Sequence, residues 1–234
     1  MDHVREHRSL LAEVEKRLLI RIARRLPAAV NSDHLTLLAL LAMVGAGIAF
    51  AGLRTTAWSA VWFVVALATN WFGDSLDGTV ARVRYQQRPR YGYYVDHVVD
   101  LAGTAALVGG MAASGLMTPA IAIGVLAAYF LVSAESYLAT HTVGVFRISF
   151  AGFGPTELRI VLAIGAVAVA IDPWATLAGR QFLLLDVGGS VAIVGLCAVF
   201  IMAALRNVRA LYAAEPLPRA AARSVTRVVP SCLL

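Results

Sequence analysis

Four aspartates carry the chemistry that this sequence can offer. Asp74 and Asp77 stand three residues apart, and Asp96 and Asp100 stand four apart. On a helix, either spacing puts both members of a pair on one face. If two antiparallel helices turn those faces together, four carboxylates meet in a small volume. Their mutual repulsion is large near a membrane unless cations neutralise it. Two divalent ions cancel four negative charges, and ligation by oxygen alone suits Mg²⁺ or Mn²⁺ rather than zinc or copper. Such a pair of ions polarises a diphosphate for in-line attack by a hydroxyl, with one carboxylate as general base.

The residues between the aspartates fit that chemistry. Gly78 and Ala81 lie one turn beyond Asp74 and Asp77, and Gly92 lies one turn before Asp96. Small side chains there leave room for a flat ring or a pyrophosphate against the backbone. Arg82 would then fork onto a phosphate oxygen. A single Asp at a helix end is usually a cap or a solvated charge, so it is the combination that points to a metal-dependent site. Asn70, one turn before Asp74, is a candidate partner for that carboxylate.

The elements that must hold these residues are membrane helices. Of 234 residues, 59% are hydrophobic and only 15% charged. A soluble domain has no place for so much apolar surface, which excludes an ordinary water-soluble globule. Uncharged windows cover residues 35–53, 55–73 and 101–134, and two further apolar runs cover 156–171 and 183–205. The third is too long for one crossing, and Gly115 and Pro119 offer a turn in its middle. Six spans are therefore expected. With both termini inside, 18 of the 20 Lys and Arg residues fall on the cytoplasmic side, leaving only Arg54 and Arg180 outside. Ser32 or Asp33 is expected to cap the first span.

Before the spans, Leu11, Val14, Leu18 and Ile22 recur at helical spacing beside Lys16, Arg17, Arg21 and Arg24. That pattern reads as an amphipathic helix on the headgroup plane, the alternative being a solvated helix packed on the protein. The expected class is all-α: a polytopic membrane protein with six transmembrane helices after an interfacial helix. One domain is expected over residues 1–212, with the interfacial helix at 1–27, the spans over 33–212, and a flexible cytoplasmic tail at 213–234. The net charge of +6 suits anionic headgroups or a phosphate-bearing substrate, whereas no basic region outside the membrane suits nucleic acid. The two cysteines, Cys197 and Cys232, imply neither a disulfide framework nor a zinc site. Mixed charge and the lack of an apolar run before Leu35 argue against a cleaved signal peptide.

The stretch from Asp74 to Asp100 resembles the signature of the CDP-alcohol phosphotransferase family, D-x2-D-G-x2-A-R-x8-G-x3-D-x3-D. Every fixed residue is present, with nine residues instead of eight between Arg82 and Gly92. The resemblance implies an integral membrane transferase of phospholipid biosynthesis at the cytoplasmic (inner) membrane. It would move a substituted phosphate from a CDP-linked alcohol to an acceptor alcohol and release CMP. By the same resemblance Asp74, Asp77, Asp96 and Asp100 would hold two divalent cations, Asp100 also serving as general base. Gly78, Ala81 and Gly92 would border the CDP moiety, and Arg82 would contact its phosphates. The run Asn31-Ser32-Asp33-His34-Leu35-Thr36 is similar to the family's T-P-N-x-L-T segment, departing from it at Ser32 and Asp33.

CDP-diacylglycerol is the first candidate donor. The Asp96-His97 pair and the Thr156-Glu157 step weakly resemble the ethanolamine and choline branch, whose donor is a CDP-aminoalcohol and whose acceptor is diacylglycerol. Glu135, His141, Arg147, Glu157 and Arg159 are candidates for an acceptor pocket, because polar groups within or beside spans are paired or functional. Each also has a plainer reading, as a helix–helix hydrogen bond, a positive-inside residue or a helix start. Ala102, Ala106, Gly110 and Ser114 form a small-residue stripe that permits close helix approach within the chain or across a homodimer, and the family resemblance favours the dimer. A cation transporter is the competing class. It would want acids near the midplane on pseudo-symmetric halves, whereas these acids cluster at helix ends and no half-repeat is visible. A non-catalytic lipid-binding protein would have no need of Asp100.

Overall fold

The computed structural model describes residues 4–6, 12–56, 58–147, 154–215 and 217; the side chains of residues 4–6, 12–15 and 145–147 lie outside that description. Six long helices follow a shorter first one: α1 (Ala12–Arg25), α2 (Ser32–Ala51), α3 (Trp58–Val83), α4 (Pro89–Ala113), α5 (Pro119–Thr142), α6 (Pro155–Ile171) and α7 (Leu184–Ala214). Strand β1 (Val4–Glu6) pairs in parallel with β2 (Val145–Arg147), and β3 (Trp174–Leu177) pairs with β4 (Arg180–Leu183) in a hairpin before α7. The architecture is all-α apart from these short pairings. Of the expected tail, residue 216 and residues 218–234 lie outside the described residues, as does Leu11 of the N-terminal stripe.

Local chemistry sets the helix ends. Asn31 is extended (φ −105°) and its Oδ1 accepts the His34 N–H at 2.9 Å, while His34 Nδ1 accepts the Asn31 N–H at 3.4 Å. The cap of α2 is thus Asn31, one residue before the Ser32 or Asp33 expected, because its side chain reaches the third helical amide. Pro119 and Pro155 open α5 and α6, where a missing N–H costs no intrahelical bond. Gly115 makes the turn between α4 and α5 at φ +68°, a conformation that L side chains resist.

Helices α2, α5 and α7 are long and apolar enough to cross a bilayer on length and composition alone. Helices α3 and α4 carry the aspartates and arginines of the site, and α6 is only 17 residues long. Much apolar surface faces outward: Ile48 on α2 is 71% exposed and Val194 on α7 is 70% exposed. Uncovered aliphatic faces of this kind mark contact with lipid or a partner, not water.

Two apolar clusters flank a polar layer. Phe50, Phe63, Leu67, Leu107 and Met111 join α2, α3 and α4 toward one end, with Phe50 and Phe63 edge-to-face at 5.0 Å. Toward the other end, Leu19 and Ala23 of α1 meet Leu35 of α2 and Leu76 and Val80 of α3. Helix α1 therefore buries one face on α3, leaving Lys16, Arg17, Arg21, Arg24 and Arg25 exposed. Arg84 fastens this arrangement by donating to the carbonyls of Leu26 (2.9 Å), Pro27 (3.0 Å) and Val30 (2.6 Å). Its charge had suggested only a positive-inside residue, yet it ties down the carbonyls of the turn that follows α1.

The small-residue stripe of α4 is used inside the chain. A Cβ on Gly110 would overlap the backbone of Gly47 on α2, and one on Gly47 would overlap the Ala106 carbonyl. Of the two uses open to the stripe, the structure shows the one within the chain, with α2 in the groove, and a homodimer gains no support from it. Gly73 does the same on α3, where a Cβ would sit 2.6 Å from the Leu35 carbonyl oxygen. Close approach of α2 to α3 and α4 brings the two aspartate-bearing helices to a common neighbour.

Candidate active site

Helix α3 runs ten residues past its uncharged window, and α4 begins twelve residues before the next. These extensions carry all four aspartates. Residues 84–88 link them, turning at Tyr85 (φ 57°), and the extra residue relative to the family signature is accommodated without putting the aspartates out of register. One oxygen each from Asp74, Asp96 and Asp100 lies within 4.8 Å of the others. At that distance, two carboxylates repel by about 3 kcal/mol with an effective dielectric of about 20. Three hard oxygen donors so arranged fit a divalent cation.

Asp77 stands slightly apart from this trio. Thr36 Oγ1 donates to Asp77 Oδ2 at 2.6 Å, and the Gly78 N–H donates to Asp77 Oδ1. Its charge still acts on its neighbours, since Asp74 and Asp96 lie near enough to repel it. The Thr36 contact joins α2 to α3 and fixes the carboxylate rotamer. Thr36 stood in the sequence only as the end of the Asn31–Thr36 resemblance, and its distance from Asp77 along the chain hid the contact.

Among the described residues, Arg159 is a cation set against the trio. Its Nη2 pairs with Asp74 Oδ2, and its Nε donates to Asn70 Oδ1 at 2.8 Å. Asn70 in turn donates to the Ala39 carbonyl at 3.1 Å. The chain α2–Asn70–Arg159–Asp74 therefore ties α6 to the site helices. Arg159 had been grouped with the acceptor candidates by position; its contacts reach a metal-ligand candidate, and Asn70, expected as a partner of Asp74, bonds to Arg159.

The other acceptor candidates point to different elements. Glu135 on α5 accepts from Asn207 on α7 at 2.6 Å. Glu157 accepts the Gly154 N–H at 2.9 Å, closing the first turn of its own helix. His141 approaches Tyr93 of α4, with ring centroids 6.0 Å apart. The Arg147 side chain lies outside the described residues. His97 Nδ1 stands 3.4 Å from Asp96, while its ring lies between Tyr93 (4.1 Å) and Tyr137 (4.7 Å). It is buried in the α4–α5 interface and joins that interface to the aspartates.

On the loop side, a cavity of about 420 Å³ is lined by Asn31, Ser32, Asp33, Val80, Ala81, Gln86, Gln87 and Arg88. Arg88 crosses it to pair with Asp33 and lies 4.1 Å over the Tyr91 ring. That ion pair raises the Arg88 pKa further, so it stays a cation. Gly78 keeps the α3 surface low beneath Arg82, whose Nη2 donates to Thr79 Oγ1 at 3.1 Å. Gly92 has open space where a Cβ would stand.

Comparison with known families gives a match over most of the chain. The profile described as CDP-alcohol phosphatidyltransferase matches residues 30–205, from the cap of α2 through most of α7 and across both aspartate pairs. No curated protein matches the chain.

Proposed function

The chain belongs to the CDP-alcohol phosphatidyltransferase family, and from that premise we propose that it transfers the phosphatidyl group of CDP-diacylglycerol to a polar alcohol, releasing CMP. The coarser part rests on the family: the protein is a transferase acting on a CDP-alcohol in phospholipid synthesis. The observation that carries the phosphoryl-transfer reading is the meeting of Asp74, Asp96 and Asp100 from two helices. The two features that resembled the aminoalcohol branch have local roles. Glu157 caps α6, and His97 is stacked between tyrosines. That leaves the CDP-diacylglycerol donor as the better supported choice.

In this reading the acceptor hydroxyl attacks the phosphorus that bears the diacylglycerol group. A new phosphate ester bond forms, the bond to the bridging oxygen breaks, and that oxygen leaves on CMP. The hydroxyl proton passes to Asp100. Asp74, Asp77, Asp96 and Asp100 would hold two divalent cations, Mg²⁺ or Mn²⁺. When bound, these supply Lewis-acid stabilisation of the charge developing on the phosphoryl oxygens. Arg82 binds a donor phosphate, and Gly78, Ala81 and Gly92 leave the backbone open to the nucleotide. Purified protein given CDP-diacylglycerol and a panel of polar alcohols should release CMP, and a chelator should stop it. CMP release from CDP-ethanolamine with diacylglycerol, and none from CDP-diacylglycerol, would reverse the donor assignment; full turnover after metal stripping would end the metal-dependent mechanism.

All six long helices cross the inner membrane in this reading, with both termini and the 84–88 loop in the cytoplasm and α1 against the headgroups. The support is the charge bias, the outward aliphatic faces, and the exposed basic side of α1. Single cysteines introduced at Gln87 and at Thr176 should be labelled from opposite sides of sealed vesicles. Labelling of Gln87→Cys from outside would invert the topology.

A further inference from the structure

The acidic trio contains a cation of its own. Arg159 sits on Asp74, the ligand candidate nearest α6, with its guanidinium held from behind by Asn70. The pair is largely shielded, with side-chain exposures of 16% for Arg159 and 23% for Asp74. Its charge also acts on Asp100, opposing the repulsion from the other aspartates. Three carboxylates this close need positive charge in order to stay folded together. Among the described residues, Arg159 is a cation ion-paired with the trio.

We propose that Arg159 is a resident counter-ion of the metal-free site, which the incoming divalent cation must displace from Asp74. This rests on the metal-dependent reading above and adds a regulatory consequence. Arg159 draws on the charge of the same Asp74 carboxylate that a metal would use, so Arg159 and the cation compete for Asp74. Displacement frees a guanidinium at the edge of the site, where the anionic diphosphate of the donor is its natural partner. Metal and donor therefore help each other to bind: the donor captures the arginine that the metal expels. Without donor, Arg159 returns to Asp74 and weakens the hold on metal. Reciprocity requires that the donor raise metal affinity by the same factor as metal raises donor affinity.

The test is direct Mn²⁺ binding, read by electron paramagnetic resonance on the full chain in nanodiscs, together with thermal unfolding in chelator. In Arg159→Gln, Mn²⁺ should bind roughly tenfold more tightly in the absence of donor, the factor that corresponds to about 1.4 kcal/mol of released pairing. Its metal-free form should unfold at a lower temperature than the wild type, and added Mn²⁺ should restore more stability to it. Removing a positive charge would strengthen cation binding even from a distance, so a charge-neutral variant separates the two causes. Asn70→Leu leaves the charge of Arg159 but removes the acceptor for its Nε, and should also tighten Mn²⁺ binding. CDP-diacylglycerol should raise Mn²⁺ affinity in the wild type and much less in Arg159→Gln.

Equal or weaker Mn²⁺ binding by Arg159→Gln would overturn the counter-ion role while leaving the metal site intact. Unchanged binding by Asn70→Leu would reduce the effect of Arg159 to a general field and overturn direct competition. No Mn²⁺ binding by the wild type, with or without donor, would remove the metal-dependent reading itself and the counter-ion with it.

Discussion

Asp100→Asn is expected to lower CMP release by roughly 10²–10⁴-fold, the usual cost of losing a general base. The substitution keeps size and shape, and an amide still accepts or donates hydrogen bonds, so the helix pair should stay folded. What it removes is a proton acceptor and one negative charge. The companion variants separate those two losses. Asp74→Asn and Asp77→Asn lie on α3, where each should act chiefly by weakening metal affinity; Asp77→Asn can still accept from Thr36. Raising Mg²⁺ should restore part of the activity of both, while Asp100→Asn should resist rescue because added metal supplies no proton acceptor. A metal titration of each purified variant, scored by CMP release, decides the matter. Equal rescue of all three would make Asp100 a ligand and nothing more, and near-native activity of Asp100→Asn would take it out of the mechanism.

Gly110→Ala should be among the most damaging substitutions of a single methyl in this chain. The added Cβ falls on the backbone of Gly47, which cannot rotate away as a side chain would. Relief requires α4 to move off α2, which opens the buried contacts around Leu107 and Met111. Overpacking of this kind costs about 1–3 kcal/mol and sometimes more. The neighbouring Gly109 supplies the control, because a Cβ there meets nothing within 4 Å. In a helix interior, Gly→Ala should by itself gain roughly 0.5–1 kcal/mol. Thermal unfolding in one detergent should therefore shift in opposite directions for the two variants. If Gly110→Ala matched Gly109→Ala, the close crossing of α2 and α4 would not exist. Activity should follow stability for Gly110→Ala, since α4 also carries Asp96 and Asp100.

The sequence by itself determined whatever depends on near neighbours. Apolar windows located the long helices because a helix in an apolar setting satisfies its own backbone without outside help. Gly115 and Pro119 marked the turn inside the longest window, because one tolerates positive φ and the other cannot continue a helix. The i, i+3 and i, i+4 spacings of the aspartates placed each pair on one face before any partner was known. Where a local rule left a choice, it erred by a single residue, at the Asn31 cap of α2.

Only the tertiary structure decided which distant groups meet. Spacing brought four carboxylates together, and the structure adds that Thr36, 41 residues away, holds Asp77 outside the trio. Arg159, 85 residues from Asp74, became its counter-ion rather than a free acceptor contact. Arg84 proved to be a clamp on the end of α1, and the stripe of α4 proved to face α2. Periodicity says which residues share a face, but not which face lies opposite. That choice is made by the close fit of Gly47, Gly73 and Gly110, where backbone meets backbone and no side chain announces the contact.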